Sequence, residues 1–156
     1  MELKINYKKV ILYGLVVLII DMLIGNLLYM NPYVSGVFES YKGHPSIKPI
    51  ESFGGIGNYI TLTMIFGIIL FIFLVVLYLV LYNSLPGKGW IKGLSFGIMV
   101  GFLKAVPEAF NQFMNINYPV DLIYIQLFNT FFGLILFGLY LDFIFRKTKT
   151  IIIINS

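Results

Sequence analysis

The chain has no cysteine, and only one histidine and one tryptophan, among its 156 residues. Without cysteine there is no disulfide framework, no thiolate nucleophile and no thiol metal site. That absence excludes the quinone-linked thiol oxidoreductases, which are also small four-helix membrane proteins. The single histidine, His44, lies in a segment with Glu39 and Glu51, which is a weak pattern for a metal. Charge is equally scarce. Asp, Glu, Lys and Arg make up 12% of the chain, against roughly a quarter in an ordinary soluble domain. There is no metal-ligand cluster, activated serine, phosphate-cradling glycine loop or phosphotransfer motif, so no cofactor is expected.

What remains is apolar. Hydrophobic residues account for 59% of the chain, and the mean hydropathy is +0.91. A soluble domain of this length cannot hide so much apolar surface, so the solvent is lipid. One membrane domain, residues 1–156, is expected. Four segments satisfy the bilayer requirement of about 20 predominantly apolar residues: 10–30, 58–82, 91–115 and 119–144. A lipid-exposed backbone must satisfy its own hydrogen bonds, and no alternation of period two is visible. The prediction is an all-α integral membrane four-helix bundle. The first segment follows Lys4, Lys8 and Lys9 like a signal peptide, but its apolar run is too long and no small-x-small cleavage site follows, so it is expected to stay as a span. Residues 31–57, with Pro32, Pro45, Pro49 and Gly54, Gly55 and Gly57, read as an extracellular loop. The "TIIIINS" tail reads as frayed.

Basic residues set the orientation. Eight of them (Lys4, Lys8, Lys9, Lys88, Lys92, Arg146, Lys147 and Lys149) flank one side of the predicted spans, against Lys42 and Lys48 on the other. Both termini are therefore expected in the cytoplasm, in a multipass protein of the cell membrane. The same asymmetry accounts for the pI near 9.2. No basic groove with interleaved aromatics appears, so no nucleic-acid partner is expected. Tyr78, Tyr82 and Trp90 near one interface, and Tyr29, Tyr33 and Tyr118 near the other, suit aromatic belts.

Ionisable groups inside a span are costly and mark functional sites by default. Asp21 lies 12 residues after Lys9, and Lys104 lies 12 after Lys92, which puts both roughly 18 Å from the cytoplasmic lysines. Equal depth and opposite sign predict an Asp21–Lys104 ion pair, acting either as a clamp on helix register or in binding. At 100° per residue, Lys104, Glu108, Asn111, Gln112 and Asn115 share one face, which continues into Gly101, Gly97 and Gly93. Small residues at that spacing let backbones approach in membranes. In the fourth span Gln126, Asn129, Thr130 and Gly133 repeat the arrangement, polar outside and small further in. Asn58 and Thr61 of the second span add to the same half of the membrane. The pattern predicts a polar cavity open to the outside and plugged on the cytoplasmic side. Pro107 removes a donor from the carbonyl of Leu103 and predicts a kink, whose freed carbonyls either coordinate an ion or are re-satisfied by neighbours. Glu108 is either a proton carrier or a neutral acid among amides. Asp121 reads as a helix-start cap, and Asp142 as an interfacial partner of Arg146 at i,i+4.

The stretch from Leu85 to about Leu141, with its "LPGKGWIKGLSFGIMVG" entry, mid-span proline and final span holding Gly133 and Gly138, resembles small four-span membrane proteins of bacteria and archaea. Those families have no assigned activity, so the resemblance implies an architecture and no chemistry. Three functions stay open. The first is a non-catalytic assembly or ligand-binding subunit, with the bilayer and a homodimer or larger complex as partners. The second is a small proton- or ion-coupled transporter acting as a homodimer. The third is an intramembrane enzyme using Glu108 as acid and base.

Overall fold

The computed structural model describes residues 2–154. Its elements in chain order are β1 (Glu2–Ile5), α1 (Tyr7–Tyr29), α2 (Pro32–Ser40), a 3-10 turn (Ile50–Phe53), α3 (Ile56–Leu81), α4 (Trp90–Asn115), α5 (Val120–Lys147) and β2 (Ile151–Ile154). Helices α1, α3, α4 and α5 are long and apolar enough to cross a bilayer. Each begins and ends within about three residues of the segments delimited by hydropathy, which are set by the same exclusion of charge.

Two expectations are corrected. Residues 31–57 are not all irregular, since α2 occupies their first third. Asn31 accepts from the Val34 amide at 3.0 Å and Pro32 takes the first helical position, a start signal in which the side chain satisfies a free amide and proline loses nothing. The terminal isoleucines are not frayed either. Ile151–Ile154 pair antiparallel with Glu2–Ile5, in the register Glu2↔Ile154 to Ile5↔Ile151. β-branched side chains favour this extended state. The last two residues, Asn155 and Ser156, lie outside the described residues.

The ladder defines one end of the molecule, the terminal end. The Asn6 amide donates to the Thr150 carbonyl at 3.0 Å, and Lys9 Nζ to the Thr148 carbonyl at 2.7 Å. The turn between α3 and α4 lies at this end too, where Lys92 donates to the Tyr82 carbonyl. Residues 31–57 cover the opposite, loop end. There Ser46 donates to the Asn117 carbonyl, and Tyr41 donates to Asp121 Oδ2 at 2.8 Å. That bond, with smaller contributions from lost hydration and the carboxylate charge, holds the Tyr41 hydroxyl above the usual tyrosine range. Asp121 therefore ties α5 to the loop. It also stands in the first turn of α5, where a carboxylate at the helix start is expected, although the N-cap residue is Pro119 and no side chain bonds the first amides.

Helices α4 and α5 pack as an antiparallel pair with almost no side chain between them. A Cβ on Gly97 would stand 2.5 Å from the Leu134 carbonyl oxygen and 2.6 Å from Ile135 Cα. Gly93 and Gly138 abut each other's backbone in the same way, and Gly101 meets the ring of Phe131. Gly133 faces α1 instead, across from Leu28. In lipid, burying apolar side chains gains little, so close backbone contact supplies the association. α3 joins this pair only through its second half. Phe71, Leu74, Val75 and Tyr78 are buried, and Phe71 and Tyr78 set their rings edge-on to Phe137 and Phe96 at 5.9 and 5.1 Å. Every residue from 56 to 69 is exposed. The loop half of α3 stands away from the rest.

Candidate ligand-binding cleft

Where α3 stands away, a cavity of about 190 Å³ opens between α1, α3 and α5, with Lys104 of α4 at its side. Cavities near 150 Å³ accept a ring the size of benzene, so this one admits a small molecule or several waters. Asp21, Lys104, Asn129 and Thr130, all singled out in the sequence, line it. Tyr29, which the sequence reading placed in an aromatic belt, lines it as well and bonds Thr130 through the two hydroxyls at 2.9 Å. The remaining walls are apolar, with Leu70 and Leu74 from α3 opposite Leu28 of α1. Gly25 and Gly67 bring bare backbone to the cavity, and a Cβ on either would enter open space.

The ion pair expected between Asp21 and Lys104 is not formed. Asp21 accepts instead from the Tyr140 hydroxyl, and among the described residues the ion pairs are Lys42–Glu39 and Arg146–Asp142. Equal depth brought the two groups to one cavity, but Tyr140 of α5 is nearer to hand for the carboxylate. The tyrosine also brings no second charge to the carboxylate. Lys104 is left as a cation on the cavity wall with no acidic partner within ion-pair distance.

The other polar residues divide into three groups. Gln112 donates to Gln126 at 2.7 Å, and Gln126 donates to the Tyr118 hydroxyl at 2.9 Å, so these amides knit α4 to α5 above the glycines. Asn129 donates to the Leu28 carbonyl at 2.7 Å and ties α5 to α1. Glu108 lies with Gln112, Gln126 and Thr130 along a crevice too narrow for water. Gln112 Oε1 is buried without a donor. Asn111 and Asn115 bond each other at 3.0 Å near the end of α4 and line neither space. Asn58 and Thr61 turn back on their own helix, to the carbonyls of Gly54 and Gly57, and the structure does not bring them to the cavity. Pro107 stands inside α4 without ending it.

The terminal half holds a polar cluster that the sequence reading did not assemble. Asp142 is fully buried. It accepts from the Tyr78 hydroxyl and from Arg146 Nε, both at 2.7 Å, and its Cβ lies against Gly93. The i,i+4 pair with Arg146 is present, and its carboxylate is also an internal link between α3, α4 and α5. The signal was available, since Asp142 falls one turn beyond Gly138 on the face that meets α4. Aromatic rings of Tyr78, Tyr82, Phe96 and Phe145 fill the space around it, so the cavity does not continue to the terminal end. At the loop end His44 Nδ1 accepts from the Ser46 amide at 3.3 Å. Among the described residues no three His, Cys, Asp or Glu groups converge on a metal position.

The arrangement is thus a half-open cleft with one apolar wall and one polar wall, and the polar wall carries the side chains of Asp21, Lys104, Asn129, Tyr29 and Thr130. It can hold and orient a small molecule. Comparison with protein-family models, curated proteins and solved structures found no match.

Proposed function

We propose that the protein is a small multipass protein of the cell membrane, with both termini in the cytoplasm, that holds a small amphiphilic ligand in a cleft opening to the outside. The observation that carries this reading is the cavity itself: Asp21 and Lys104 share it with Tyr29, Asn129 and Thr130, and the rest of its lining is hydrocarbon. A built clamp would have paired the two charges. Kept apart, Lys104 is free to meet an anionic or carbonyl group while the α3 wall takes an apolar tail. Nothing in this requires bond-making, so the role is that of a binding or assembly subunit. The basic asymmetry supports the orientation.

Native mass spectrometry of the gently solubilised protein tests the ligand. The wild-type protein should carry a small-molecule adduct, and Gly67→Leu should lose it at unchanged thermal stability, because the added side chain fills open space. An adduct retained by Gly67→Leu would place the ligand elsewhere. Cysteines introduced at Ser46 and Lys88 test the orientation. Ser46→Cys should label from outside, and Lys88→Cys only after permeabilisation.

One observation favours a second reading, a proton-coupled transporter acting as a homodimer. Gln112 Oε1 lacks a donor and shares its crevice with Glu108. A protonated Glu108 would supply that donor. Proton flux in vesicles that disappears in Glu108→Gln would decide for transport. The buried Asp142 link would then have to open in each cycle.

A further inference from the structure

At the terminal end, three basic side chains are turned inward and consumed. Lys9 donates to the Thr148 carbonyl, Lys92 to the Tyr82 carbonyl, and Arg146 to Asp142. Five others, Lys4, Lys8, Lys88, Lys147 and Lys149, are exposed and enter no hydrogen bond or ion pair among the described residues. The β1–β2 ladder and the Asn6–Thr150 bond hold Lys4, Lys8, Lys147 and Lys149 around one junction. Gly89 at the head of α4 lies against the Arg146 guanidinium, which brings Lys88 to the same end. Tyr7 and Trp90, 72% and 58% exposed, stand among these lysines. Amphipathic rings of this kind settle at the headgroup level. The sequence places Glu2 and Asp142 alone on this side, and Asp142 is already taken by Arg146 and Tyr78. The opposite end has no such excess, with Glu39, Glu51 and Asp121 against Lys42 and Lys48.

We infer that the terminal end is a docking surface for anionic phospholipid headgroups, held rigid by the ladder between the two chain ends. Setting the orientation of the chain needs only a count of lysines. It does not need them gathered on one folded platform with the buried Asp142 already paired. Each basic group at an anionic bilayer surface adds a several-fold preference for it, and a rigid cluster forfeits less ordering entropy than a loose tail. The inference rests on the membrane-spanning part of the reading above and is independent of the cleft.

Trp90, the only tryptophan, reports the lipid at this end directly. The protein is reconstituted into phosphatidylcholine bilayers containing phosphatidylglycerol, with one or the other lipid brominated on its chains, and Trp90 quenching gives the local lipid composition. Brominated phosphatidylglycerol should quench as though enriched at least ~threefold over the bulk, and the enrichment should fall in high salt. A variant with Lys4, Lys8, Lys147 and Lys149 all changed to Gln should read the bulk composition, while Lys42→Gln with Lys48→Gln should keep the enrichment. Bulk composition at Trp90 in the wild-type protein, or enrichment indifferent to salt and to the four substitutions, overturns the inference. The salt titration of the wild-type protein decides the matter if the quadruple variant does not fold. If neither lipid quenches Trp90, the spanning reading fails first.

Discussion

The two halves of the bundle are built from the same four helices by different means. In the terminal half, α4 and α5 meet backbone to backbone at Gly93, Gly97 and Gly138, and α3 closes over them with Tyr78 on the buried Asp142. In the loop half the same pair is joined by amides, Gln112 to Gln126, and α3 is exposed throughout residues 56 to 69. The difference follows from residue size. Glycine permits a contact that only a neighbouring backbone can fill, while further along α4 Gln112 meets Gln126 side chain to side chain, and the cavity lies to one side, between α1, α3 and α5. The backbone contact ends where the glycines of α4 stop, and the cavity begins where α3 parts from α1 and α5.

The largest effect that separates the halves should come from Gly97→Leu. A Cβ there already falls within 2.5 Å of the Leu134 carbonyl, and overpacking a site that cannot yield costs ~3 kcal/mol or more. Thermal unfolding in detergent should show the loss, while Gly25→Leu in the loop half, facing open space, should leave the midpoint nearly unchanged. Equal effects would erase the distinction.

Next in size is Asp142→Leu. It strands Arg146, whose side chain is 36% exposed, so the loss should lie below the ~3–5 kcal/mol of a fully buried pair, at ~2–3 kcal/mol. Arg146→Met in the same chain should restore much of it. A destabilised double variant would mean that Tyr78 and not Arg146 carries the carboxylate.

A double-mutant cycle then compares the partners of Asp21. Asp21→Asn with Tyr140→Phe should couple by ~1–3 kcal/mol, as hydrogen bonds to charged groups do. Asp21→Asn with Lys104→Met should couple far less, because the two face one cavity without touching. The reverse order would restore the ion pair. The smallest effect is expected at Asn58→Ala and Thr61→Val on the free half of α3, within ~0.5 kcal/mol in either direction.

Much of this fold was legible in the sequence, because four predominantly apolar runs reach the length that a membrane-crossing helix requires. The spans at 10–30, 58–82, 91–115 and 119–144 correspond to helices Tyr7–Tyr29, Ile56–Leu81, Trp90–Asn115 and Val120–Lys147. Helix α2 was announced by Asn31-Pro32 and obscured by the prolines after it. The ladder was invisible for a different reason, since a strand of four isoleucines has no partner that local pattern can name. The candidate site was legible only as a set of depths. Periodicity placed Asp21 and Lys104 at one level, and neither depth nor charge could say that Tyr140 would reach the carboxylate first. Asp142 was misjudged because its i,i+4 neighbour explained it too easily. The glycine face that buries it lay on the same helix.

The ladder between β1 and β2 also bears on the order in which the protein is assembled. Glu2 pairs with Ile154, so the strand that leads the chain stays unpaired until the last helix and the strand beyond it have been made. The ladder closes only when every helix between the two strands has been made, and it links β1, ahead of α1, to β2, beyond α5. Joining the ends costs only slowly more as the chain lengthens, and once joined neither α1 nor α5 can peel away from the bundle alone. A two-stranded ribbon of four residues a side thus works as a clasp, sealing an order of assembly that the helices themselves do not record.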